Sequence, residues 1–167
     1  MNFMRLRTIF LAAISAGILL TAFSTGEEAD QPKPEYVGAT KCKVCHLVIY
    51  DSWAETLHGK AMSALKAEEV ADPGCLECHT TGFGAGGYGT DPGIVDLGGV
   101  QCEACHGAGS LYSLSSIMIK PDLSSRAGLV TPDSLRCTRC HNAKSPTFKG
   151  FAYEAGLLTG THSRKRD

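Results

Sequence analysis

Cysteine and histidine recur in this chain in a single pattern, Cys-x-x-Cys-His, which occurs four times. The copies account for all eight cysteines and for four of the six histidines: Cys42, Cys45 and His46; Cys75, Cys78 and His79; Cys102, Cys105 and His106; and Cys137, Cys140 and His141. This pattern is the attachment signal for c-type haem. Two thiols at this spacing can bond the vinyl groups of one porphyrin, and the next residue places an imidazole below the iron as proximal ligand. The sequence therefore predicts four covalently bound haem c groups.

Zinc binding and disulfide formation are the two other common uses of such cysteines. A zinc site built from Cys-x-x-Cys pairs needs no histidine after every second cysteine. A disulfide scaffold would suit an exported chain with an even number of cysteines, but it leaves the four histidines without a role. Both alternatives explain less of the pattern than covalent haem does.

Axial ligation sets a second requirement, because each of four irons has two axial positions. The chain has six histidines, which is too few to fill them all. His58 and His162 lie outside the motifs and are the candidates for distal ligands. At least two irons must therefore have another distal ligand or none, and a homo-oligomer has the same shortage. Met62 and Met118 are weaker candidates for distal ligands, because apolar packing explains both side chains as well.

Residues 1–24 have the features of a secretory signal. Arg5 and Arg7 precede an apolar stretch from Ile9 to Leu20, and small residues such as Ala22 and Ser24 follow. The apolar stretch is short for a membrane span, which needs about 20 residues. We therefore expect a periplasmic or otherwise exported protein, with membrane attachment only if the segment stays uncleaved. Export agrees with haem attachment, which takes place outside the bacterial inner membrane.

Cleavage after Ser24 would leave 143 residues, enough for one domain. We expect a flexible acidic linker at 25–35, a tetrahaem domain at 36–162 and a basic tail at 163–167. Loss of the signal leaves 14 basic and 17 acidic side chains, a formal charge of −3, which disfavours a nucleic-acid partner. So short a chain cannot build a conventional core around four macrocycles, so the haems themselves must form the core.

The sequence predicts helices and loops as the elements that position the haem-binding residues. Apolar residues recur at helical spacing over 41–66, a stretch without proline, and Asp72-Pro73-Gly74 then breaks the chain. The glycine-rich segment TTGFGAGGYGTDPG predicts a loop that packs on a haem. Thr131 is the predicted N-cap of a helix that begins at Pro132. The segment FAYEAGLL predicts a last short helix. The expected fold class is mainly α and loop-rich, a small multihaem cytochrome c.

Five segments of the chain resemble the tetrahaem cytochrome c-554 family. They are YVGATKCKVCH, WAETLHGKAM, CLECHTTGFG, GVQCEACHGAGS and CTRCHNAKSPTF, followed by a histidine near the C-terminus. The similarity runs over residues 36–162 with the motifs in order. It implies an exported electron carrier whose haem planes are stacked in parallel or set perpendicular.

The same resemblance implies roles for the remaining histidines. His58 would serve the third haem and His162 the fourth, whereas the second haem would be five-coordinate. Tyr112 stands where family members commonly have a further histidine, so the first haem would lack its usual partner. Ligation by a tyrosine phenolate, as in catalase, and packing of the ring over a haem edge both remain open.

Electron transfer is the function that these features favour, with a redox protein as donor and another as acceptor. A membrane quinol-oxidising complex or a terminal reductase would fit as a partner. Two alternatives remain: catalysis on nitric oxide, nitrite or hydroxylamine-like molecules at an incompletely ligated iron, and a structural role as subunit of a homo-oligomer or cytochrome filament. An electron carrier needs no acid–base residue of its own, so no catalytic residue is assigned.

Overall fold

The computed structural model describes residues 32–90 and 96–163, which belong to one compact unit. Within these ranges the chain forms short helices joined by turns. The α-helices are α1 (Ala39–Lys43), α2 (Leu47–Ala54), α3 (Pro73–His79), α4 (Cys102–His106), α5 (Ser115–Met118), α6 (Pro121–Arg126), α7 (Ser134–Cys137) and α8 (Tyr153–Thr159), with a 3-10 turn at Met62–Ala64. The only β-pairing in the described ranges is an isolated antiparallel bridge between Thr80 and Gly98. The mainly α, loop-rich fold class is confirmed.

The helical periodicity over 41–66 does not give one helix. His46 leaves the helical conformation at φ −120° and ψ 48°, which separates α1 from α2. After α2, the Thr56 hydroxyl donates to the Trp53 carbonyl at 2.7 Å and accepts from the Gly59 amide at 3.1 Å. A threonine that bonds the local backbone competes with helical hydrogen bonds. The chain therefore turns before His58.

Aspartate side chains cap the helices of the second and fourth motifs. Asp72 accepts from the Gly74 amide at 2.8 Å and Pro73 occupies the first turn, so the predicted break is also the start of α3. The expectation of Thr131 as N-cap is wrong. Asp133 caps α7 by accepting from the Arg136 amide at 3.0 Å, because its carboxylate lies three residues before that amide whereas Thr131 is too far back.

The described part of the glycine-rich segment is a loop, as predicted, and the predicted last helix is present. Residues 80–90 form successive turns, and Gly82, at φ 74°, lies so close to the Tyr36 ring that a Cβ there would be 2.6 Å from it. The expected helix in FAYEAGLL is α8.

The polypeptide itself buries few apolar side chains. The buried apolar residues of the described ranges are Ala39, Ala61, Leu76, Leu97 and Tyr112. Buried polar side chains carry much of the internal bonding instead. Thr81 donates to the Gly99 carbonyl at 2.8 Å and accepts from the Gln101 amide at 2.8 Å. So small an apolar core agrees with a chain whose haems complete its interior.

Several expectations fall wholly or partly outside the described residues. The signal at 1–24, most of the linker at 25–35 and residues 164–167 of the tail are among them. The described end of the linker is bonded to the domain, since the Glu35 amide donates to the Ser110 hydroxyl at 2.8 Å. No helix in the described part of the chain is both long and apolar enough to span a bilayer.

Candidate haem-binding sites

Each Cys-x-x-Cys-His motif lies on about one helical turn. In the first motif the His46 amide donates to the Cys42 carbonyl at 2.9 Å, and in the fourth the His141 amide donates to the Cys137 carbonyl at 3.0 Å. The second and third motifs end α3 and make up α4. Residues separated by three and four positions share one face of a helical turn, so both thiols and the imidazole of a motif can address one macrocycle. None of the eight motif cysteines forms a disulfide bond.

Backbone carbonyls orient two of the proximal histidines. Nδ1 of His79 lies 2.7 Å from the Ala61 carbonyl oxygen, and Nδ1 of His106 lies 2.9 Å from that of Val130. A carbonyl oxygen only accepts, so Nδ1 carries the proton and the Nε2 lone pair is available to a metal. A histidine that ligates a metal typically donates its other N–H in this way. These residues therefore fit the proximal side of a haem.

The two histidines outside the motifs each lie next to a proximal histidine. The ring centroids of His58 and His141 are 5.8 Å apart, and those of His106 and His162 are 6.2 Å apart. Two imidazoles on opposite sides of one metal, with metal–nitrogen bonds of about 2 Å, have centroids about 6 Å apart. Both spacings suit a pair of axial ligands.

These contacts favour the reverse of the pairing that the resemblance implies. His58 was expected at the third haem and His162 at the fourth. His58 instead lies beside the histidine of the fourth motif, and His162 beside the histidine of the third. The contacts of α8 are one physical reason, because Gly160 at its end lies against the His58 ring and Phe151 before it stacks on His141 at 4.7 Å.

Burial favours the metal-binding form of one imidazole in each pair. Burial lowers the pKa of His58 and of His106, because desolvation disfavours the imidazolium cation. A neutral imidazole is the ligand form. His162 is half-buried, and its position is held because the Ser163 amide donates to the Ser52 hydroxyl at 2.7 Å.

Tyr112 is a hydrogen-bonded core residue. Its side chain is buried, and its hydroxyl donates to the Gly107 carbonyl at 2.6 Å. Burial, followed by the negative charge of Glu103, raises the pKa of Tyr112 above its usual range, so the phenol stays neutral. Both observations argue against a phenolate ligand.

The two methionine candidates are half-buried. Met62 begins the 3-10 turn and lies beside Gly98, and Met118 ends α5. These positions suit apolar packing.

Thiols of different motifs adjoin one another. Cys42 of the first motif lies close to Cys102 of the third, and Cys78 of the second lies close to Cys140 of the fourth, since the side chains of each pair interact. Cys105 of the third motif and Cys137 of the fourth are close enough to interact electrostatically. The four attachment points therefore form a series in the order first, third, fourth, second.

Several residues that shape these sites cannot be recognised from the sequence. The carbonyls of Ala61 and Val130 are backbone groups of residues 18 and 24 positions from the histidines they orient. Glu103 and Gln101, which are buried and bonded to the segment before α1, look in the sequence like surface residues of a motif. Only the tertiary structure reveals these partners.

Comparisons with known proteins find that the chain is similar to cytochromes c-554. The family model described as cytochrome c554 and c-prime matches residues 41–107. Cytochrome c-554 of Nitrosomonas europaea is 35% identical over 116 residues, which cover 58% of this chain and 49% of that protein. The chain thus spans about half the length of this relative. The reduced-state structure of cytochrome c554 from Nitrosomonas europaea matches with a TM-score of 0.59 and 26% identity, over 78% of this chain and 86% of that one.

Proposed function

We propose that this chain is a tetrahaem c-type cytochrome of the cytochrome c-554 family and that it carries electrons between two redox proteins. The observation that carries the proposal is the series of adjoining thiols, which links all four attachment points. Haem c supplies reversible one-electron oxidation and reduction. The polypeptide holds the attachment points at fixed separations, so no large movement is needed between one site and the next.

The ligand assignment is part of the proposal. We assign the eight motif cysteines to the thioether bonds and His46, His79, His106 and His141 to the proximal positions. His58 is assigned opposite His141, and His162 opposite His106, on the strength of the ring spacings. Both spare histidines are then used. The irons bound to His46 and His79 are left without a second imidazole.

The unequal ligand sets would give the four sites different potentials. Ferric iron is stabilised to a different extent by two imidazoles, by one imidazole with another ligand, and by one imidazole with an open axial position. Hydrogen bonds such as that from His79 Nδ1 to Ala61 raise the basicity of a ligand and tune the site further. The chain thus sets the potentials through its own side chains and carbonyls.

Small-molecule chemistry at an incompletely ligated iron is the second candidate function. The shortage of histidines favours it, because six imidazoles cannot ligate four irons twice. The side chains near such a site would have to supply any protons. Tyr112 is a poor donor, since its hydroxyl is bonded to Gly107.

Partners and location follow from the proposed role. We propose an exported protein that exchanges electrons with a donor and an acceptor protein, and a membrane quinol-oxidising or terminal reductase complex fits either position. Fractionation of cells, with recovery of the haem-bearing chain in the periplasmic fraction, tests the location. Recovery in the cytoplasm would contradict it.

A spectroelectrochemical titration of the purified holoprotein tests the electron-carrier role. We expect four haem equivalents per chain, all reversibly reduced, with more than one midpoint potential because the ligand sets differ. Fewer than four haems, or haems that do not cycle, would refute the role. Carbon monoxide added to the reduced protein tests the second candidate, which predicts a spectral change at one or two haems and is excluded if none occurs.

A further inference from the structure

Glu103 is a buried carboxylate inside the third motif. Only 1% of the residue is exposed, and both carboxylate oxygens accept hydrogen bonds. The donors are the backbone amides of Val37 at 3.0 Å, Gly38 at 2.8 Å and Gly109 at 2.6 Å. A side chain that receives only N–H donors on both oxygens is bonded as an ionised carboxylate.

Gln101, which precedes Cys102 in the sequence, also bonds the segment that leads into α1. Its side-chain oxygen accepts from the Ala39 amide at 2.7 Å, and its side-chain nitrogen donates to the carbonyls of Asp96 and Gly98 at 2.9 and 3.0 Å. Three successive amides, at residues 37–39, are therefore bonded to the two side chains that flank Cys102. These amides lead directly into α1, which carries Cys42. The first and third haem attachment sites are held together by this contact.

The Glu103 carboxylate is not paired with a cation in the described residues, since the nearby Arg136 guanidinium donates to the Ala104 carbonyl at 3.5 Å instead. Among residues 32–90 and 96–163 its carboxylate forms no salt bridge with Lys or Arg. Its field reaches the neighbouring side chains, since Cys42, Cys102 and Tyr112 all interact electrostatically with it. A negative charge in a poorly solvated region stabilises ferric iron relative to ferrous iron and so lowers the reduction potential.

We propose that Glu103 is a positioning residue that fixes the first haem site against the third and lowers the reduction potentials of the haems at both. The inference rests on the electron-carrier function proposed above. Glu103 binds no substrate and no iron. It acts through the position of α1 and through its charge.

Glu103→Gln tests the charge, because it keeps the side-chain shape and removes the negative charge. In the full-length holoprotein two of the four potentials should rise, with the reduction equilibrium constant of each changing about tenfold, or about 59 mV for one electron. The other two potentials should stay unchanged. Glu77→Gln is the control, because Glu77 also lies between the two cysteines of its motif but is exposed, and it should move no potential comparably.

Hydrogen exchange of the peptide covering residues 35–40 tests the positioning. In the unmodified protein these amides should exchange slowly, and in Glu103→Gln they should exchange at least about tenfold faster, because the amide group that replaces the carboxylate cannot accept at both oxygens. Gln101→Ala should speed exchange at Ala39 without raising the two potentials. Glu103→Asp, which keeps the charge, should return the potentials toward those of the unmodified protein.

The outcomes separate this inference from the proposed function. Four cycling haems with unchanged potentials in Glu103→Gln, or equal shifts in Glu77→Gln, would overturn the role of Glu103 alone. If Glu103→Gln does not mature with four haems, fast exchange of residues 37–39 in the unmodified protein would still overturn it. Fewer than four cycling haems in the unmodified protein would instead contradict the electron-carrier function.

Discussion

The imidazole pairs are the residues on which the ligand assignment depends. A centroid separation near 6 Å leaves room for one metal between two rings, and the two observed pairs use all the histidines outside the motifs. The sequence identified His58 and His162 as spare imidazoles by simple arithmetic. It could not assign them to partners, because 83 residues separate His58 from His141 and 56 separate His106 from His162.

Removal of either spare histidine should change one iron and leave the other pair intact. His58→Ala is expected to convert one low-spin iron of the four to high spin, because alanine supplies no distal ligand. His162→Ala should convert a different one, so each variant is the control for the other. Electron paramagnetic resonance of the oxidised holoprotein measures both. Loss of the same low-spin signal in both variants would contradict the assigned pairs.

Short capped helices are the elements that present the motifs. The α-helices described here have eight residues or fewer, too short to be stable alone, so caps and tertiary bonds determine their ends. Composition and motif spacing were sufficient to predict a helical, loop-rich fold and the helix in FAYEAGLL. The periodicity over 41–66 did not predict the helix ends there, because His46 and Thr56 interrupt the helical conformation. The N-cap prediction at Thr131 was wrong because the Asp133 carboxylate accepts from the Arg136 amide instead.

The cap at Asp72 offers a test of how the second motif is positioned. Asp72→Ala removes the acceptor for the Gly74 amide and should lower the free energy of unfolding by about 1 kcal/mol. Asp72→Asn retains a side-chain oxygen at the same place and should cost less. Denaturant unfolding of the two holoproteins, followed by far-ultraviolet circular dichroism, compares them. Equal loss in both variants would show that the cap is not the cause.

In the folded molecule the four motifs adjoin one another in an order that differs from their order in the sequence. The thiol contacts connect the first motif to the third, the third to the fourth and the fourth to the second. The motif count and the cofactor could be predicted from the sequence, because the spacing of Cys-x-x-Cys-His is local. The spatial order could not, because it depends on long-range packing and on buried groups such as Glu103.

Near-infrared magnetic circular dichroism of the oxidised, purified chain tests the central claim most directly, because its charge-transfer bands identify the axial ligands of ferric haem. The account predicts four haems per chain, two of them with bands typical of paired imidazoles and two without. A chain with fewer than four haems, or with no haem ligated by two imidazoles, would contradict it.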